Sequence, residues 1–183
     1  MGYFEKFPLV WHTLEDGDQV LLQNLTRRVA LVRGMKNFRE VTLPYEISDG
    51  ETPRQFAERF YGNHDYFWVT LLINGIYDPV SGWPRPIQRV VDELTDRYGQ
   101  DGMYDTRHYV NEYGVETDPA AMRIAYGLTG YTDDTIIGDY GLRPVSYHDY
   151  EIEKNDKLRN IRVLNPDYLA NFVAQFEREL QNG

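Results

Sequence analysis

A chain of 183 residues with 42% hydrophobic content has enough apolar material for one domain, or for one small core with appended arms, which argues against wholesale disorder. Its 29 acids against 19 bases leave a net charge of −10, the wrong balance for a nucleic-acid binder. There is no cysteine, so disulfides, thiolate catalysis and Cys-ligated metals are excluded.

The N-terminal "YFEKFPLVWH" places Tyr3, Phe4, Phe7 and Trp11 in an otherwise unshielded stretch, the composition of an arm that packs on the domain or on a neighbour. It lacks the basic start and apolar run of a secretion signal, and no stretch reaches the roughly 20 apolar residues that span a bilayer. A soluble, intracellular protein with no membrane contact is expected. From Asp18 to Val32 helical and strand patterns overlap. Arg27, Arg28, Arg33, Lys36 and Arg39 then form a basic stretch with no acid among them.

In "EVTLPYEIS", Val41, Leu43, Tyr45 and Ile47 alternate onto one face of a strand, and Pro44 marks it as an edge. Asp49-Gly50 breaks it. Thr52, Pro53 and Gln55 then make a capping box and helix start, with Phe56, Ala57, Phe60 and Tyr61 on one face. Gly62 ends this helix and Asn63 caps a second, in which Phe67, Trp68, Leu71 and Leu72 face inward before Asn74-Gly75 closes it. Phe56, Phe60, Phe67 and Trp68 are assigned to the core.

"IYDPVSGWPRPI" reads as an ordered loop holding a short returning strand, and Pro86 to Tyr98 as a helix. "TRHYVNEYGVETD" reads as a hairpin turning near Glu112 to Gly114. Residues 118–150, rich in Tyr, Gly and Asp, read as a long irregular segment. Asn165 caps and Pro166 starts a final helix with Leu169, Phe172, Val173, Phe176 and Leu180 in one stripe. From Asp92 to Asp156 there are 15 acids and 5 bases, an asymmetry against the basic stretch that reads as ordinary solvated surface or, more sharply, as two docking faces of opposite sign.

Chemistry is sparse. The histidines at 12, 64, 108 and 148 have no metal-ligand spacing, and Asp133, Asp134 and Asp139 lack the alternation of a calcium loop. Neither a nucleophile elbow, a phosphate loop nor a dinucleotide fingerprint is present. No catalytic residue, cofactor or metal is assigned. Trp83, between Gly82 and Pro84, is a loop aromatic that can stack on a ligand, fill a partner's pocket or cover its own core.

"YEISDGETPRQFAERFYGNHDYFWVTLLINGI" resembles a LysM domain, a strand–helix–helix–strand module: Asp49 to Thr52 supply its turn, Tyr61-Gly62 its break and Leu71 to Asn74 its close. The second helix is more aromatic than in sugar-binding modules, and the usual closing strand motif is missing. "PRQFAERFYGNHDYFWVTLLINGIYDPVSGWP" in turn resembles the gene product 53 family of baseplate wedge subunits from contractile-tailed, T-even-type bacteriophages. "YFEKFP", "NLTRRVAL", "HYVNEYG" and the C-terminal "NDKLRNIRVLNPDYLANFVAQFEREL" are similar to segments of that family as well.

The resemblance implies an α+β fold: an N-terminal arm and segment over 1–39, a LysM-like βααβ core over 40–90, a hairpin and irregular acidic segment over 91–150, and a C-terminal strand and helix over 151–183. It implies a non-enzymatic virion component, assembled in the host cytoplasm in multiple symmetric copies. That component would join neighbouring wedge subunits around the tail tube, its partners an inner-ring wedge subunit and a sheath-initiating wedge subunit. Tyr3, Phe4, Phe7, Trp11, Arg27, Arg28, Trp83, Phe172 and Phe176 are the expected interaction residues. The alternative is a LysM-type module that binds peptidoglycan or chitin.

Overall fold

The computed structural model describes residues 6–24 and 41–182. In chain order these form strands β1 (Leu9–Thr13), β2 (Gln19–Gln23) and β3 (Thr42–Glu46), helices α1 (Pro53–Tyr61), α2 (Phe67–Ile73), α3 (Pro79–Gly82) and α4 (Ile87–Gly102), and strands β4 (Thr106–Val110) and β5 (Glu116–Thr117). Helices α5 (Pro119–Ala125) and α6 (Asp133–Asp139), strand β6 (Arg143–Ser146), helix α7 (Tyr147–Lys157), strand β7 (Asn160–Leu164) and helix α8 (Leu169–Asn182) complete the order. The chain divides into two compact units. Residues 1–84 and 158–183 make unit one, and residues 85–157, inserted between them in sequence, make unit two.

In unit one the local start and stop signals act as their chemistry requires. Thr52 Oγ1 accepts from the Gln55 amide at 3.3 Å while Gln55 Oε1 accepts from the Thr52 amide at 2.9 Å, so both orphan donors at the start of α1 are satisfied. Gly62 ends α1 at φ 72°, a left-handed conformation open to glycine, and its N–H donates to Glu58 O. Asn63 then caps a 3₁₀ turn, His64–Tyr66, that leads into α2.

The strand that closes the βαα unit does not follow α2 in sequence. The segment expected to hold a returning strand holds the four-residue α3 instead. The closing strand is β7, which pairs antiparallel with β3 from Thr42↔Leu164 to Glu46↔Asn160. On β3, Ile47 beyond its end is buried and Tyr45 half-buried, but Leu43 stays exposed. Thr42 is buried in its place, where the Arg162 guanidinium wraps it: Nε donates to Thr42 Oγ1 at 2.7 Å and Nη2 to Thr42 O at 2.8 Å.

Helix α2 is apolar on opposite sides because two clusters flank it. Trp68 and Val69 join Phe7, Leu164, Phe172, Phe176 and Leu180 in one. Leu71 joins Ile47, Phe56, Ala57, Trp83, Ile161 and Val163 in the other. The aromatic character of the second helix thus has a cause inside the chain: α8 lies over it, with Trp68 and Phe176 ring centroids 4.4 Å apart.

Unit two is an α+β body with a three-stranded sheet in the order β5-β4-β6. Val90 and Leu94 of α4 and Met103 form its buried cluster, with Tyr147 and Ile152 of α7 against it. The hairpin turns at Asn111 to Gly114, where the Gly114 amide donates to Asn111 O at 2.9 Å. Residues 118–150, expected to be irregular, contain α5, α6, β6 and the start of α7. Asp118 and Thr132 cap the first two of these through bonds to Ala120 N and Thr135 N.

Candidate interaction surfaces

The expected interaction residues fall into three groups. Tyr3, Phe4, Arg27 and Arg28 lie outside the described residues. Phe7, Trp83, Phe172 and Phe176 are buried within unit one. Trp11, by contrast, is 68% exposed on β1.

Phe7 reaches the α2–α8 cluster, and Lys6 beside it pairs with Glu177 of α8, so the start of the described chain is tied to the C-terminal helix. Trp83 is 5% exposed, tilts against Phe56 at 6.5 Å, and donates its indole N–H to the carbonyl of Glu51 at 2.7 Å. The loop tryptophan thus covers the turn between β3 and α1. Glu51 itself ties that turn together, accepting from Ser48 N at 3.2 Å, Tyr45 Oη at 3.0 Å and Arg59 Nη2 at 2.6 Å.

Two polar residues whose part in closing the unit was not foreseen fasten β7. Asn74 Nδ2 donates to Thr70 O at 2.8 Å and to Arg162 O at 2.7 Å, and its Oδ1 accepts from Arg162 N at 2.9 Å. The side chain thereby takes the place of a neighbouring strand. Its only sequence signal was its position closing α2. The Tyr61 hydroxyl accepts from the Leu164 amide at 3.1 Å, and burial pushes its pKa above the usual value of 10.0, outweighing that bond.

A raised phenol pKa means that folding favours the neutral form. Its contribution is fully present below pH 10 and lost as pH rises through the elevated folded value. We expect stability to fall above about pH 10, and Tyr61→Phe to remove part of that fall. At neutral pH the same variant should lose about 1–2 kcal/mol, because Leu164 N–H loses its acceptor. Urea denaturation of both proteins between about pH 7 and 11 measures the difference, and parallel pH profiles would contradict it.

The β1–β2 hairpin has the opposite character. Leu9 and Trp11 sit opposite Gln23 and Leu21, so Leu9, Trp11 and Leu21 share one face; Val10 and Leu22 lie on the other. All five are exposed. Neither strand contains Asp, Glu, Lys or Arg, the residues that commonly guard open edges. A two-stranded ribbon with apolar residues bare on both faces is marginal in water.

Unit two exposes aromatic rings too. Tyr126 and Tyr140 stack with centroids 6.4 Å apart and planes 8° apart, and Ile124 and Tyr131 are exposed on the same pair of helices or the loop between them. Elsewhere in the unit the Arg107 guanidinium lies 3.7 Å over the Tyr150 ring. Among the described residues no three His, Cys, Asp or Glu side chains are grouped to hold a metal ion, and no helix is long and apolar enough to cross a membrane.

The sequence model of the family described as "Base plate wedge protein 53" matches residues 21–179. A curated relative, "Baseplate wedge protein gp53" of Enterobacteria phage T4, is 25% identical over 150 residues. The alignment covers 75% of this chain and 72% of the relative.

Proposed function

This chain belongs to the base plate wedge protein 53 family, and from that premise we propose that it is a structural subunit of a phage tail baseplate wedge. Its place is the virion tail, and its work is to join neighbouring wedge subunits around the tail tube. The partners we assign are the inner-ring wedge subunit and the sheath-initiating wedge subunit. Such a role needs neither a catalytic set nor a cofactor. We read the β3-α1-α2-β7 arrangement of unit one as a LysM-like module whose closing strand has been displaced by an insertion. The turn where a sugar-stacking ring would be useful is covered by Trp83, whose indole N–H is already bonded, and this weighs towards assembly over glycan binding.

The observation that carries the joining role is the bare β1–β2 hairpin, with Trp11 at its centre. Buried interface tryptophans rank among the residues that contribute most to association. In the full chain co-expressed with neighbouring wedge proteins, Trp11→Asp is expected to weaken co-purification by about 30-fold or more, the ratio for a loss of roughly 2 kcal/mol. Its thermal midpoint should remain that of the parent, since the ring is exposed within the chain. Undiminished incorporation of the variant would remove the hairpin from the joining role.

A further inference from the structure

We propose that the exposed α5–α6 face of one copy docks the basic stretch, residues 27–39, of a second copy of this chain. The face has two components. The first is apolar and aromatic: Ile124, Tyr126, Tyr131 and Tyr140 are exposed, Tyr126 at 66%, and the stacked Tyr126–Tyr140 pair is already ordered. A preformed aromatic pair loses little side-chain entropy on association, and tyrosine is favoured at the centre of interfaces for that reason.

The second component is uncompensated negative charge. Between Arg107 and Arg143 the only Lys or Arg is Arg123, set against six acids. Arg123 is taken up by Asp133 at 3.2 Å, a pair that links α5 to α6. Asp134 and Asp139, both exposed on α6, form no ion pair among the described residues. Carboxylates are normally depleted from interface centres, so exposed aromatic rings on the same helix pair as these carboxylates favour a partner that brings positive charge and apolar surface together.

The chain carries one segment of that chemistry. No acid lies between Asp18 and Glu40, whereas Arg27, Arg28, Arg33, Lys36 and Arg39 alternate with Val29, Leu31 and Val32. Arginine can pair with a carboxylate and lie flat on a tyrosine ring at once, and this protein already uses the second contact at Arg107–Tyr150 and at Arg59–Tyr45, 5.7 Å. Two unlike patches meeting between copies make a head-to-tail contact, which closes into a ring when the rotation permits. The choice of a second copy as occupant rests on the baseplate reading, in which copies stand side by side. The complementarity of the two patches does not.

The test uses full-length chain at low salt, an equal mixture of ¹⁵N-labelled and unlabelled protein, and a carbodiimide that joins amines to carboxylates with no spacer. Links from Lys36 to Asp134 or Asp139 should appear between differently labelled copies. Their yield should fall at least about tenfold in the Arg27→Glu/Arg28→Glu variant, which keeps Lys36 and both carboxylates, and in parent protein at high salt. For charge reversal on the other face, association is read by sedimentation: Asp134→Arg/Asp139→Arg should lose self-association, and mixing it with Arg27→Glu/Arg28→Glu should restore it. Asp134 and Asp139 are exposed, so circular dichroism should report an unchanged fold for the α6 variant. Same-label links alone, or association indifferent to the reversal, would overturn the proposal. Either result leaves the Trp11 measurement standing as a separate check on the wedge role.

Discussion

Replacing Phe176 with alanine is expected to destabilise unit one by about 3–5 kcal/mol, the range for deleting a fully buried aromatic ring whose surroundings cannot collapse. The ring is 1% exposed and packs against Trp68, Phe7, Phe172, Leu164 and Leu180, drawn from the chain start, α2, β7 and α8 itself. No single element can move to fill the space without giving up contacts elsewhere, so the cavity term adds to the lost transfer free energy. Urea denaturation followed by near-ultraviolet circular dichroism suits the measurement, because Trp68 lies in the same cluster and loses its fixed environment when α8 loosens. Tyr168→Ala, at an exposed ring just before α8, is the companion measurement and should change stability little. A cost below about 1 kcal/mol for Phe176→Ala would mean that α8 does not form part of this core.

What could be foreseen from the sequence were the features written within a few residues. The Thr52–Gln55 capping box, the left-handed Gly62, the Asn63 cap and the Asn165-Pro166 start depend on backbone groups three or four positions away, so residue type and spacing suffice. The stripe from Leu169 to Leu180 runs over about three turns, long enough for its period to show. Helices α5 and α6 have seven residues each, about two turns with one buried position apiece, too short for a period to stand out.

The partner of β3 lies beyond a 73-residue insertion, and nothing local in "TLPYE" specifies "NIRVL". Ring type also could not decide between core and surface. Trp83 and Trp11 are the same residue in comparably aromatic, proline-marked surroundings, yet one is sealed beneath its own loop and the other stands on an open hairpin. That difference is tertiary: Trp83 has Glu51 O and Phe56 within reach, while among the described residues the two-stranded ribbon carrying Trp11 leaves that ring exposed.

The second large effect falls on unit two and on a residue with no apolar role. Asn155 of α7 is 3% exposed, its Oδ1 accepting from Arg85 N at 2.8 Å and its Nδ2 donating to Arg85 O at 2.9 Å. Arg85 sits between Pro84 and Pro86; Pro86 favours extended backbone at the residue before it, and neither proline supplies an N–H of its own. With neither a helix nor a sheet available to those two backbone groups, the amide side chain serves as a one-residue strand that fixes where the chain enters α4. Asn155→Leu is expected to cost about 2–4 kcal/mol, since both bonds vanish and an N–H and a C=O are left without partners beneath α7. Asn155→Asp separates bonding from volume: it keeps the acceptor but presents a carboxylate to the Arg85 carbonyl, and should be nearly as harmful at neutral pH. Hydrogen exchange locates the damage, with protection lost first in α4 and α7, because both helices meet at the cluster this clamp positions. If Asn155→Leu left exchange in α4 and α7 unchanged, Pro84 and Pro86 alone would be fixing the entry, and the amide would be dispensable.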